Sequence, residues 1–134
     1  MHYIDSNVFI YPIIYTTEMT NAKMAKEFLL KVARGKMEAY TATITWDEIA
    51  WIIRKLFGAE ASVDESRKFI NFPNLRLLAV KKTTVMLAQD LAEKYRLKPR
   101  DAIHAATAIE RGITSIVSYD KDFDQVKELI RTEP

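Results

Sequence analysis

Pro99-Arg100-Asp101-Ala102-Ile103-His104-Ala105-Ala106-Thr107-Ala108, followed past Gly112 by Ser115-Ile116-Val117-Ser118-Tyr119-Asp120, is the stretch whose reading decides the fold. Proline suits the first position of a helix, where its missing N–H would go unbonded anyway. That places Asp101 near the third position of a helix closing at Gly112. The β-branched run at 115–118 predicts a strand, and Asp120 stands just past its carboxyl end. In open parallel sheets, strand carboxyl ends and helix amino ends share one edge, and ligands gather there.

Outward from this unit the same alternation repeats. Residues 2–5 read as a short buried strand, followed by an apolar turn of helix that Pro12 disturbs. A helix capped at Thr20-Asn21 carries Ala25, Phe28, Leu29, Val32 and Ala33 until Gly35 ends it. Tyr40 to Ile44 predicts a second strand, and the next helix holds Glu48, Ile49, Ile52, Ile53 and Leu56 before Gly58. Ser62 opens a further helix ending near Ile70, and Leu75 to Val80 predicts a third strand. Thr83 or Thr84 caps a helix running to Lys94. After the strand at 115–118, a short helix begins near Asp122 or Asp124, with a fifth strand around Leu129-Ile130. The pattern predicts an α/β domain over residues 1–134, with a mainly parallel sheet of four or five strands and helices on both faces.

The composition is that of an ordinary globular chain, and 134 residues suffice for one self-supporting core. No apolar run approaches the length of a membrane span, and no secretory signal is legible, so a cytoplasmic location is expected. Without cysteine there is no disulfide, thiolate zinc site or cysteine nucleophile. A net charge of +2 admits a polyanionic partner without demanding one. Four cations between Lys94 and Arg100 read as a solvated helix end and loop, with substrate contact as the rival reading.

Asp5, Glu48, Asp101 and Asp120 each stand in or beside apolar, element-forming sequence, where a carboxylate is costly unless it is used. The topology lets all four converge. Two carboxylates about 5 Å apart repel by about 3 kcal/mol at an effective dielectric near 20. Such a cluster calls for a divalent cation, and all-oxygen ligation suits Mg²⁺ or Mn²⁺. An ion of this kind meets the needs of phosphodiester hydrolysis: a more acidic water and a neutralised phosphate.

Asp5-Ser6-Asn7, Glu48 after a strand, the Asp101-Ala102-Ile103-His104-Ala105-Ala106 helix and the Ser118-Tyr119-Asp120-Lys121-Asp122-Phe123 turn resemble a PIN-domain nuclease. More narrowly, they resemble the VapC-type toxins of prokaryotic toxin–antitoxin pairs. The resemblance covers almost the whole chain, with motifs in family order. It implies a three-layer α/β/α fold, Mg²⁺- or Mn²⁺-dependent cleavage of RNA, homodimerisation and inhibition by a small antitoxin. Asp5, Glu48, Asp101 and Asp120 are then the catalytic and metal-binding acids. Asn7 and Ser118 orient a carboxylate or water from behind, and Asp122 is a possible additional contributor.

Each role has a plainer rival. Asp5 could cap the following helix, Asp101 could merely complement a helix dipole, and Asn7, Ser118 and Asp122 could serve local turns. Asp47 competes with Glu48 but reads more naturally as a cap. His104 reads as a packed histidine, with an approach to the site as the lesser reading, and His2 reads as structural. Trp46, Trp51, Tyr11, Tyr15 and Phe57 read as core, with base stacking or a protein interface as the rival. Val8 to Tyr15 is apolar enough that part of it is expected to face another chain.

The expected reaction is in-line attack of water on phosphorus with departure of the 3′-oxygen, leaving 5′-phosphate and 3′-hydroxyl ends. A housekeeping RNA-processing or structure-specific nuclease, and a non-catalytic RNA-binding module, remain alternatives on the same fold.

Overall fold

Strand β1 (His2–Ile4) lies at the centre of a five-stranded sheet in a computed structural model that describes residues 1–16 and 19–134. Helices α1 (Ser6–Ile14) and α2 (Thr20–Ala33) lead to β2 (Ala39–Ala42). Helices α3 (Ile44–Phe57) and α4 (Ala59–Ile70) lead to β3 (Leu75–Leu78). Helices α5 (Lys82–Tyr95) and α6 (Pro99–Glu110) precede β4 (Ser115–Val117). A 3₁₀ turn (Lys121–Gln125) then joins β4 to β5 (Ile130–Thr132). The strand order is β3-β2-β1-β4-β5 and every pairing is parallel. No helix among the described residues is long and apolar enough to cross a membrane.

The period of two along the strands separates the core into two halves. Tyr3, Tyr40 and Ile116 face α5 and α6, where they meet Leu91, Ala102, Ala105 and Ala106. Ile4, Ala39 and Val117 face α1 to α4, where they meet Val8, Val32, Ile49, Ile53 and Phe69. Sheet between helices on both faces is the expected three-layer α/β/α arrangement. Strands buried on both faces read as continuous apolar runs, as His2-Tyr3-Ile4 and Ser115-Ile116-Val117 nearly do.

The strand order creates the switch point. From β1 the chain moves outward through β2 to β3, then returns to lay β4 on the other side of β1. A crevice therefore opens between the carboxyl ends of β1 and β4. The register pairs Tyr3 with Ile116 and Ile4 with Val117, which brings Asp5 level with Ser118. The Asp5 N–H donates to the Val117 carbonyl at 3.0 Å, fixing that level. On the approach to β4, Gly112 takes φ +76° while the Gly112 and Ile113 N–H groups close the last turn of α6 on Ile109 and Ala108.

Several local expectations are corrected. Ile44 is not in β2: the strand stops at Ala42, and Ile44 starts α3, packed against the α5–α6 half of the core. Tertiary packing there overrides a β-branched preference that amounts to little by itself. Helix α4 begins at Ala59, immediately after Gly58 at φ +95°, so Ser62 is interior. The Ser62 hydroxyl donates to the Ala50 carbonyl at 2.6 Å and ties α4 to α3. Thr20 starts α2 without capping it through a side chain, and α1 runs through Pro12 to Ile14. Strand β3 ends at Leu78 rather than Val80, β5 runs on from Ile130 to Thr132, and the last short helix is a 3₁₀ turn.

The aromatics are corrected too. Trp46, Trp51, Phe57 and Tyr15 are exposed rather than core. Helix α3 turns the stripe Thr45, Ile49, Ile53 inward, and the two tryptophans fall off that stripe. In Val8–Tyr15, Val8 and Phe9 are buried in the chain's own core, which leaves only Ile10 to Tyr15 wholly or partly outside it.

Candidate active site

Asp5 follows β1 directly and does two jobs. One oxygen, Oδ1, accepts the Ser6 N–H at 2.7 Å, which caps α1. The other, Oδ2, accepts the Ser118 hydroxyl at 2.6 Å. The cap reading of Asp5 thus holds, and the same side chain, 3% exposed, is also bonded to Ser118 at the end of β4. Burial raises its pKa with help from Glu48, while His104, Ser118 and Ser6 pull against the rise; the balance stays above the ordinary aspartate value.

Ser118 is the junction of this floor. Besides donating to Asp5, its hydroxyl oxygen accepts the Asp120 N–H at 2.9 Å and the Asn7 amide at 3.3 Å. Asn7 in turn accepts the Tyr119 N–H through Oδ1 at 3.5 Å. Asn7 and Ser118 are therefore bonded to one another, with Ser118 also joined to Asp5 and to the Asp120 backbone. Arg131 fastens the same segment from β5, donating to the Ser118 carbonyl at 2.9 Å and gripping Asp124 through Nε and Nη2.

Past Ser118, Asp120 caps the 3₁₀ turn, its Oδ1 accepting the Asp122 N–H at 2.9 Å. Phe123, fully buried, roots that turn in the core. The turn brings Asp122 back towards α6, and ligand oxygens of Asp101, Asp120 and Asp122 all lie within 4.8 Å of one another. Helix α6 approaches this closely because Ala102, Ala105 and Ala106 present no bulk to the sheet.

Asp101 carries the clearest signal. Its Oδ2 is buried and has no hydrogen-bond partner among the described residues. Burial, together with the negative charges of Asp120 and Asp5, pushes its pKa up to about 7. A buried polar atom without a partner is uncommon, and an ion or a water bound there would satisfy it. The donor set around it is all carboxylate oxygen, so the residues present fit a hard divalent cation of the Mg²⁺ or Mn²⁺ kind.

Glu48 is turned differently. Its Oε1 accepts from His104 Nε2 at 2.5 Å and its Oε2 accepts the Ser6 hydroxyl at 2.7 Å. Burial opposes its ionisation, yet the hydrogen bond and charge of His104, with Ser6 and Arg100, outweigh burial and hold its pKa below the ordinary glutamate value. Asp47 points outward and sits 3.8 Å from Arg100 in an exposed ion pair.

His104 is the residue that sequence reasoning underrated. It is packed, with no exposed surface, but it is also bonded to Glu48 and lies 3.6 Å from Asp5 Oδ1. Burial disfavours the imidazolium, but the Glu48 bond and the charges of Asp5, Glu48 and Asp101 outweigh burial and raise its pKa. The available signal was spacing: His104 stands one helical turn after Asp101, so the two share a side of α6. His2, by contrast, bonds to Ser115 at 3.0 Å, away from the acids.

Glu48, Asp101 and Asp120 line an open cleft of about 410 Å³ together with Lys98, Pro99 and Arg100. The cationic run 94–100 is thereby divided. Lys98 and Arg100 line the cleft, while Lys94 pairs with Glu128 at 3.7 Å.

A family model described as PIN domain matches residues 2–129. Among curated proteins no sequence relative matches the chain. Solved structures do. VapC20 of Mycobacterium tuberculosis, described as a sarcin–ricin loop cleaving toxin, aligns over 100% of both chains at 14% identity with a TM-score of 0.78. VapBC2 of Rickettsia felis, bound to a DNA fragment from its promoter, aligns over 99% of this chain and 98% of that one, at 16% identity and a TM-score of 0.75. FitAcB of Neisseria gonorrhoeae aligns over 100% and 98%, at 16% identity and a TM-score of 0.73. At these identities the likeness is one of fold.

Proposed function

The chain belongs to the PIN-domain family, and on that premise we propose that it is a divalent-metal-dependent endoribonuclease acting as the toxin of a toxin–antitoxin pair. The observation that carries this reading is Asp101 Oδ2, buried without a hydrogen-bond partner among the described residues, within the Asp101–Asp120–Asp122 cluster. Those three aspartates would hold Mg²⁺ or Mn²⁺, with Asp5 adding charge from the floor of the site. When bound, the ion supplies positive charge to the scissile phosphate and makes a neighbouring water more acidic.

The chain's own groups then have defined work. Ser118 keeps Asp5 and the Asp120 backbone in register, so the acids need no rearrangement when phosphate arrives. Lys98 and Arg100 attract and orient the polyanionic strand along the cleft. Glu48 stands at the cleft wall as a further carboxylate. Water adds to phosphorus, the bond to the 3′-oxygen breaks, and that oxygen leaves protonated, giving 5′-phosphate and 3′-hydroxyl ends.

The toxin part of the reading is supported by the fold shared with VapC20 and the VapBC complexes. An antitoxin would find apolar surface on α3 and α4, where Trp51, Leu56, Phe57 and Val63 are exposed. A homodimer and a cytoplasmic site of action complete the proposal.

Incubation of a total-RNA pool with the purified protein tests the activity. Cleavage with Mg²⁺ or Mn²⁺ should disappear with chelator and in Asp5→Asn and Asp101→Asn, and products should carry 5′-phosphates. Activity that outlasts the chelator or both substitutions, or 2′,3′-cyclic phosphate ends, would refute it.

A further inference from the structure

Glu48 lines the cleft with both of its oxygens hydrogen-bonded to side chains outside the aspartate cluster. Oε1 accepts from His104 Nε2 at 2.5 Å and Oε2 accepts from Ser6 Oγ at 2.7 Å. Its oxygens are outside the group of three that converge within 4.8 Å. Asp101 is the opposite case, with its Oδ2 buried and without a hydrogen-bond partner among the described residues. Two carboxylates of one cleft are therefore in different chemical situations. One is free to ligate; the other is tethered.

The tether is rigid. His104 is fully buried on α6 and its second ring nitrogen, Nδ1, lies 2.6 Å from the Tyr3 hydroxyl. Tyr3 is itself fully buried in β1, and its hydroxyl oxygen accepts the Ala42 N–H from β2 at 3.1 Å. The two rings meet edge to face with centroids 5.7 Å apart. The imidazole thus cannot follow Glu48 if that side chain swings. Ser6 is equally fixed, as the first residue of α1 with its N–H on Asp5. For Glu48 to reach the three aspartates it must give up two charge-assisted hydrogen bonds and leave a buried ring nitrogen unpaired, an arrangement that proteins avoid.

We propose that His104 is a positioning residue which, with Ser6, holds Glu48 back from the ion, so that Asp101, Asp120 and Asp122 bind it while Glu48 acts as a separate carboxylate facing the phosphate and the attacking water. The proposal rests on the metal-nuclease reading above and divides the acids of that site into ligands and a tethered partner. A histidine that only fills space would leave Glu48 free to ligate. A histidine that tethers makes the two kinds of acid separable by measurement.

Calorimetric titration with Mn²⁺ of metal-free wild type, Glu48→Gln, Asp120→Asn, His104→Leu and His104→Gln, alongside kcat and KM on RNA, provides the test. Asp120→Asn should weaken Mn²⁺ binding about tenfold or more, as loss of a ligand does, whereas Glu48→Gln should stay within about threefold of wild type while kcat falls about tenfold or more with little change in KM. In His104→Leu the released Glu48 can reach the ion, so Mn²⁺ binding should tighten while kcat falls. His104→Gln keeps an N–H donor and should return both values towards wild type. Weakening of Mn²⁺ binding by Glu48→Gln to the level of Asp120→Asn would overturn the proposal, as would weaker binding in His104→Leu. If His104→Leu does not fold, the comparison of Glu48→Gln with Asp120→Asn decides alone. Wild type that binds no Mn²⁺ would instead remove the metal-nuclease reading itself.

Discussion

Replacing Asp101 by asparagine should stabilise the metal-free protein at pH 8 and destabilise it, relative to wild type, once Mn²⁺ is added. In the folded chain, burial and the neighbouring charges of Asp120 and Asp5 raise the Asp101 pKa from 3.8 to about 7. Between those values the folded state holds a proton that the unfolded chain has released. Stability of the metal-free wild type therefore falls as pH rises from about 4 to about 7 and stays low above it. In a fully buried group this displacement would be worth about 4 kcal/mol. Asp101 is only partly buried, and solvent screening reduces the penalty to about 1–2 kcal/mol. Asparagine resembles the protonated acid, can donate to Asp120 in its place, and does not titrate.

At about 2.1 cal/mol/K per residue, 134 residues convert that gain into a Tm higher by about 4–7 °C at pH 8 in chelator. At pH 5, where folded wild-type Asp101 is protonated but the unfolded chain has largely ionised it, the gain should fall to about two fifths of its pH 8 value. Mn²⁺ at about 100 times its dissociation constant should add about 2.7 kcal/mol to wild type and much less to the variant, reversing their order. Circular-dichroism melts at pH 5 and pH 8, with chelator and with MnCl₂, read all of this. An Asp101→Asn protein that melts below wild type in chelator at pH 8, or that gains as much from Mn²⁺, would refute the reasoning.

Ser118→Ala removes a donor to Asp5 and an acceptor for the Asp120 N–H. It should lower stability by about 1–3 kcal/mol, read by urea unfolding, and slow RNA cleavage. Phe123→Ala empties a fully buried site under the turn that carries Asp122; a loss of about 3–5 kcal/mol is expected, with Mn²⁺ affinity falling in parallel. Lys98→Ala combined with Arg100→Ala should shrink the slope of log affinity for single-stranded RNA against log salt by about 1.4, the value for two lost phosphate contacts. An unchanged slope would place the RNA elsewhere.

What the sequence determined by itself was local. Pro99 before Asp101, the short β-branched run ahead of Ser118 and the apolar stretch ahead of Asp5 put acids at helix starts and strand ends, because caps, proline geometry and periodicity act over a few residues. The α/β alternation and the parallel sheet followed from the same signals. Where these signals were weak they misled: Ile44 joined a helix, Ser62 went inside one, and Trp46 and Trp51 came out to solvent.

Tertiary structure alone decided which acids share an edge. Strand order depends on pairings between distant segments, the farthest being β1 with β4, as at Ile4 and Val117, and nothing in either segment names its partner. That pairing brought Ser118 under Asp5. The 3₁₀ turn, rooted by Phe123, brought Asp122 to Asp101 and Asp120. The rotation of α6 on the sheet, permitted by its alanine face, set His104 against Glu48. A carboxylate's identity is written in the chain; whether it is tethered or free depends on which distant side chain the packed fold sets beside it.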